Sequence, residues 1–427
     1  MSALGNTANG TPWTSQVLAS AYRYGLTSLG PIAVSGAHFV ASVLFLRLLQ
    51  PAEFGHFSFL LIVVPFCLSA TGAMLGAPAA MTRGKDALTA QAELITLQKA
   101  SFIVSLLAGL VVAALMALTG ASPVAAVLFG LYSASYTLRA FSRIHANVLG
   151  RIERAAGSDV LYATALIAGL GVLAYCGDFT LVHVAAMLVA AALLALLPFG
   201  RDFSGGLVAA LRTPGLAGYR TMWQEVTRWS LLGVALTEVA VNCHAYLVTF
   251  LCGPGAFGLL ALGALFMRPA SLVLGALPDI DQPLMTKRLA AGDVRGALRV
   301  VNEFRTAAGA VLAGTVLLAV LLVLFVPHLL LKHYAVGDVW IVLAFWTAIT
   351  ALRAVRTPES VFVMATGAYS KLAWISGVSG AAALVVTLVL LLAAGPIYAL
   401  GGVAAGEVVM LMMLYPINRR WREQAHA

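Results

Sequence analysis

Twelve apolar runs, each close to the length that crosses a bilayer as a helix, follow one another along the chain with short polar breaks between them. They cover about residues 26–48, 56–79, 101–119, 123–145, 158–176, 179–199, 229–252, 256–279, 304–327, 339–367, 370–394 and 397–417. No stretch between them reaches the ~50 residues of a separate soluble domain. The pattern predicts an all-α integral membrane protein with about 12 transmembrane helices.

Two short motifs recur in the same order half a chain apart. Pro51-Ala52-Glu53-Phe54-Gly55 returns as Pro254-Gly255-Ala256-Phe257-Gly258, at the turn between the first and second helix of each half. Leu138-Arg139-Ala140 returns as Leu352-Arg353-Ala354, in the fourth helix of each half. The chain therefore reads as a duplicated six-helix unit, two parallel-repeat lobes around a central cavity. We assign 1–200 to the N-terminal lobe, 201–228 to a linker with Gly205-Gly206 and Pro214, and 229–427 to the C-terminal lobe. Parallel repeats place the binding site between the lobes near the midplane. Gly72-x-x-x-Gly76 and Gly402-x-x-x-Gly406 are candidate tight helix contacts.

Composition agrees: 61% of the 427 residues are hydrophobic and 10% charged, against about 45–50% and 25% in soluble domains. Counting Lys and Arg between the spans gives nineteen on one side and two, Arg47 and Lys332, on the other. Both termini and the linker are thus expected in the cytoplasm. Basic loops facing anionic lipid account for most of the net charge of +9 and leave no call for a nucleic acid. The segment from Lys85 to Lys99 has the pattern of a short amphipathic helix at the interface, and Trp13, Val17 and Tyr24 hint at another. Cys67, Cys176, Cys243 and Cys252 lack metal or redox spacing and read as buried hydrophobes, with a Cys176–Cys252 disulfide as the lesser alternative.

Ionisable residues inside spans carry the functional signal, because each costs at least about 2.5–3.5 kcal/mol there. Arg139 and Arg143 share a face of helix 4, Arg353 and Arg356 a face of helix 10, and Arg268 falls near the middle of helix 8. Against these five stand Glu238, Glu359 and Glu407, with Glu359 placed to pair with Arg356 and Pro358 expected to kink helix 10. The surplus suits an anionic ligand, since guanidinium offers phosphate two parallel donors. Tying helices together or snorkelling to the interface is the plainer alternative for each arginine, most of all for Arg143. Glu238 and Asn242, one turn apart on helix 7, and the mid-span His38 and His244 are candidates for ion or proton coupling, with hydrogen-bonded packing the alternative for the histidines.

The segment Arg47-Leu48-Leu49-Gln50-Pro51-Ala52-Glu53-Phe54-Gly55-His56-Phe57-Ser58 resembles the first outer turn of Wzx-type polysaccharide flippases. Leu277-Pro278 through Pro283 to Gly292-Asp293 is also similar to that family, whose twelve-span layout covers most of the chain. The resemblance implies the multidrug/oligosaccharidyl-lipid/polysaccharide exporter fold in a bacterial inner membrane. It further implies transport of an undecaprenyl-pyrophosphate-linked oligosaccharide, with polysaccharide polymerase and export proteins as partners. On that reading Arg139, Arg353 and Arg356 receive the pyrophosphate, Arg268 holds it at the midplane, and the lobes rock.

A multidrug exporter of the same superfamily is the main alternative; cationic drugs would call for surplus buried carboxylates. Met81-Thr82-Arg83-Gly84-Lys85-Asp86 lacks the major-facilitator pattern Gly-x-x-x-Asp-Arg-x-Gly-Arg. A membrane enzyme would need a sizeable outer loop with catalytic groups, and the longest, around 328–338, offers His328, Lys332, His333 and Asp338. No Walker loop is present, so no nucleotide cofactor is expected.

Overall fold

A computed structural model of the chain describes residues 13–82, 86–212, 215–327, 331 and 333–426. Among the described residues eleven helices are long and apolar enough to span a membrane, and a bent pair makes a twelfth span. In chain order these are α1 (Trp13–Leu48), α2 (Pro51–Met81), α3 (Ala87–Leu118), α4 (Pro123–Val148), α5 (Ile152–Cys176) and α6 (Leu181–Arg212). The second half has α7 (Gly218–Cys252), α8a (Pro254–Phe266), α8b (Arg268–Ala290), α9 (Val294–Phe325), α10 (Val336–Ala365), α11 (Tyr369–Ala394) and α12 (Leu400–His426).

Local chemistry sets these boundaries. Asp86 caps α3 by accepting from the Thr89 amide, Ser122 caps α4 from Ala125, Thr180 caps α6 from His183, and Asp293 caps α9 from Gly296. Pro51, Pro123 and Pro254 stand in the first turn of their helices, where a missing N–H does no harm. Between α7 and α8a, Gly253 has φ of 86°, which lets two long helices reverse across one residue.

Apart from α2, helices α1 to α6 pack mainly on one another, as do α7 to α12. The two sets meet chiefly where α2 lies on α8a and α7. An even number of spans returns both ends of the chain to one face. The basic loops lie on that face, called here the basic face, and the α1–α2 and α7–α8a turns lie on the opposite one.

Several expectations change in detail. Residues from Ala87 onward continue without a break into the third span, so α3, with 32 residues, exceeds the roughly 20 that cross a bilayer and no separate interfacial helix forms there; Arg83, Gly84 and Lys85 lie outside the described residues. The segment expected to link the halves is largely helical: 200–212 prolongs α6 and α7 begins at Gly218. Pro214 lies outside the described residues. Helix α10 runs through Pro358 without ending. A Cβ at Gly402 would collide with Thr387 and one at Gly406 would stand 2.7 Å from the Ala383 Cβ, so that glycine pair does bring α12 close to α11. Gly72 faces open space within a π-helical turn, Gly72–Gly76, and makes no such contact. All four cysteines are free, with Cys67 and Cys243 buried and Cys176 and Cys252 exposed, so no Cys176–Cys252 bridge forms. His328 and Lys332 fall outside the described residues.

Candidate functional site

The repeated arginines each meet a carboxylate of their own lobe. Arg139 of α4 pairs with Asp159 of α5 and donates from Nε to Ser158 Oγ at 2.9 Å, while Ser158 Oγ donates onward to the Ala195 carbonyl. Its guanidinium lies 4.8 Å from the Tyr162 ring centre and 5.1 Å from that of Tyr136, and only 2% of the side chain is exposed. Arg143, one turn on, reaches the second oxygen of Asp159 at 2.9 Å. Gly30 of α1 packs on Asp159 so closely that any side chain there would collide with it.

In the other lobe Arg353 donates from Nε to one oxygen of Glu407 at 2.7 Å, and Arg356 to the other at 2.5 Å. Each lobe thus holds two arginines one turn apart on a single carboxylate, a cluster with a net positive charge. The pairing expected between Arg356 and Glu359 does not form. Residues three apart on a helix are near enough to pair, but Arg356 is taken up by Glu407 instead. Glu359 points between α9 and α12, where Arg305 and the Asn418 amide bind it.

Arg268 differs from all of these. It opens α8b at the break in span 8, where the helix axis turns by 62°, and Met267 and Pro269 flank it. It has no ion-pair partner among the described residues. The break also presents the N-terminal end of α8b, a region of positive backbone potential.

A cavity of about 230 Å³ lies between the lobes, and Arg268 and Arg353 both line it. Ser42 of α1, Ser58 of α2, Asn242 of α7 and Trp346 of α10 supply hydroxyl, amide and aromatic groups to its wall. Among the described residues its wall holds two arginines and no carboxylate. Toward the opposite face the two copies of Pro-x-x-Phe-Gly meet, and their Phe54 and Phe257 line the cavity. The Pro254 carbonyl occupies the place of a Gly55 side chain, and a Cβ at Gly258 would stand 2.8 Å from the Pro51 carbonyl and 2.9 Å from the Tyr334 hydroxyl. Phe59 adds edge-on contacts across the seam to Tyr246, Phe250 and Phe257.

The structure therefore brings Arg268, Arg353, Asn242 and His244 to the cavity and leaves Arg139 in the interior of its own lobe. His38 accepts from or donates to the Tyr162 hydroxyl at 2.8 Å, and Tyr162 is bonded in turn to Tyr132 at 2.9 Å. His244 packs edge-on to Trp346, and its Nδ1 meets no hydrogen-bond partner among the described residues. Glu238 is held within its own helix, accepting from Asn242 at 3.1 Å and from the Tyr246 hydroxyl at 2.7 Å. No group of three metal-ligating side chains occurs among the described residues.

Sequence reasoning overlooked Asp159, the carboxylate on which the N-terminal arginines converge, although it falls one residue inside the fifth apolar run. Arg305, which the sequence pattern assigns to a basic loop, reaches Glu359 from within α9. Trp346 and the serines carried no signal, because aromatic and hydroxyl residues are common throughout the spans.

No protein-family model matches the chain, and no curated protein does. Solved structures do. A lipid II flippase, MurJ, in an inward closed conformation is similar at a TM-score of 0.69 with 11% identity, over 92% of this chain and 87% of that one. A multidrug resistance MATE family transporter of the MOP superfamily matches at 0.64 in its inward-facing conformation, with 14% identity over 93% of this chain and 94% of that one. An outward-facing MATE conformation matches at 0.56, with 14% identity over 93% and 95%. The chain has the fold of MOP-superfamily membrane transporters.

Proposed function

We propose that this protein flips an undecaprenyl-pyrophosphate-linked oligosaccharide from the cytoplasmic to the periplasmic leaflet of a bacterial inner membrane by alternating access. The product would feed exopolysaccharide, capsule or O-antigen synthesis, with a polymerase and export proteins downstream. The basic face is then cytoplasmic, together with both termini, in keeping with the positive-inside rule.

One observation carries this reading: among the described residues Arg268 has no ion-pair partner, and the cavity that it lines together with Arg353 has no carboxylate in its wall. A lone guanidinium at membrane depth is costly unless an anion completes it. The cavity is smaller than the ~300–1,000 Å³ usual for a drug-sized ligand, so a glycan on the same lipid would extend toward the basic face while the opposite face stays sealed. Glycan hydroxyls cost several kcal/mol each in hydrocarbon without partners; a polar route between the lobes removes that barrier. An inside-negative potential favours outward movement of an anion by about 2.3 kcal/mol per charge per 100 mV, so no coupling ion is required.

The alternative is an ion-coupled multidrug exporter, supported by the likeness to MATE transporters over nearly the whole chain and by the in-span carboxylate Glu238. Deleting the gene separates the two. Lipid-linked sugars retained on the cytoplasmic leaflet are expected; unchanged lipid-linked sugars with altered drug tolerance would overturn the flippase reading.

A further inference from the structure

A second cleft, of about 630 Å³, lies wholly within the N-terminal half at the basic face, apart from the cavity between the lobes. It forms because α3 and α6 both project beyond their apolar stretches. Gly206 keeps them together: a side chain there would stand 3.0 Å from the amide of Gln98, which is itself 4% exposed and bonded to His145 at 3.3 Å.

Two features of the cleft point to one kind of occupant. Its rim carries Arg151 and Arg154 at the start of α5, which share one oxygen of Asp202 at 2.8 and 3.3 Å. Two guanidiniums on one carboxylate leave a net positive charge, and all three side chains are more than a third exposed. Its walls are mostly apolar, formed by Leu94 and Ile95 of α3, Leu149 after α4, and Phe203 of α6, with Gln91, Gln98 and His145 as the polar groups among them. The apolar run of α3 begins just past Lys99 and that of α6 ends near Phe199, so the cleft lies at headgroup depth. An apolar recess rimmed by cations at that depth matches an amphiphile with an anionic head, and basic pockets between membrane helices bind such headgroups.

We propose that this cleft holds one anionic phospholipid, with its phosphate on Arg151 and Arg154 and the first part of its acyl chains against Leu94, Leu149 and Phe203. A soluble phosphate ester would satisfy the rim and leave the apolar walls wet. The proposal is independent of what the central cavity transports.

The test uses the purified full-length protein in detergent, with thermal stability measured as phosphatidylglycerol, phosphatidylcholine or glycerol 3-phosphate is titrated in. Phosphatidylglycerol alone is expected to raise the melting temperature saturably. Each arginine near an anionic headgroup contributes about fivefold in affinity, so R151A/R154A should raise the half-saturating lipid concentration about thirtyfold. Asp202→Asn, which removes only an exposed carboxylate, should lower it about fivefold; this variant decides the matter if the double variant does not fold. Glu225→Gln, the same charge change at an exposed residue outside the cleft, should leave it unchanged. Wild-type half-saturation in R151A/R154A, equal effects of D202N and E225Q, or stabilisation by glycerol 3-phosphate equal to that by the lipid would each overturn the proposal.

Discussion

Gly55, in the first turn of α2, has the carbonyl of Pro254 where a side chain would stand, so the two copies of the repeated turn close against each other rather than lying apart. The sequence motif read only as a helix-starting turn. Its glycine has a second task that no single copy reveals, the approach of one lobe to the other. A side chain at Gly55 should hold the lobes apart at the opposite face. In a background without Cys176 and Cys252, the exposed native thiols, a cysteine in place of Ser58 should resist a membrane-impermeant thiol reagent applied to that face. Adding Gly55→Leu should make it react at least about tenfold faster. Unchanged protection would mean that the glycine contact does not form the seal.

Asp159 neutralises Arg139 in a site with 2% exposure for both side chains. Removing one member of such a pair costs about 3–5 kcal/mol, whereas replacing both with apolar groups is often neutral. Asp159→Asn should therefore lower the melting temperature of the purified protein sharply, and Arg139→Met with Asp159→Leu should recover part of the loss, because Arg143, which also pairs with Asp159, is left without its carboxylate but is partly exposed. A double variant that folds and still supports transport fixes Arg139 as a lobe-stabilising residue, while a folded, inactive one would restore it as a substrate contact.

The twelve spans were legible because the bilayer demands about 20 apolar residues per helix and this chain has little else between its turns. The duplication was legible in the Pro-x-x-Phe-Gly and Leu-Arg-Ala motifs. What the arginines do was less so. Charge counting treats every in-span arginine alike, yet Arg139 and Arg353 sit at matching repeat positions and have different surroundings, one enclosed by Tyr136 and Tyr162 and the other lining the cavity. The difference comes from partners distant in sequence, Asp159 and Glu407, which local spacing does not disclose. The break at Met267 was hidden for a similar reason: Pro269 after Arg268 starts a new helix as readily as it kinks an old one.

Tyr219, near the start of α7, donates its hydroxyl to the Met74 carbonyl at 2.9 Å, inside the π-helical turn of α2. A π-turn leaves carbonyls without their usual partners, and this bond supplies one from the other lobe. Tyr219→Phe should cost about 1 kcal/mol locally. Hydrogen exchange over residues 72–81 should quicken about fivefold, with residues 51–71 unchanged. A uniform increase along α2 would show that the bond supports the whole helix instead.

Arg268 offers the sharpest test of the transport reading, because loss of its side chain breaks no ion pair among the described residues. Arg268→Ala should leave the protein in the membrane with normal thermal stability and abolish surface polymer. Charge-assisted hydrogen bonds contribute about 1.5–3 kcal/mol each, so affinity for an isolated undecaprenyl pyrophosphate should fall by about 10- to 100-fold. Arg268→Lys keeps the charge and loses the planar pair of donors; it should retain part of the activity. Arg268→Glu should be worse than alanine for a pyrophosphate lipid, since it sets like charge against the ligand, yet it should improve the cavity for a cationic drug. Normal polymer in Arg268→Ala, or drug export that rises with Arg268→Glu while polymer is untouched, would move the assignment from the flippase to the exporter.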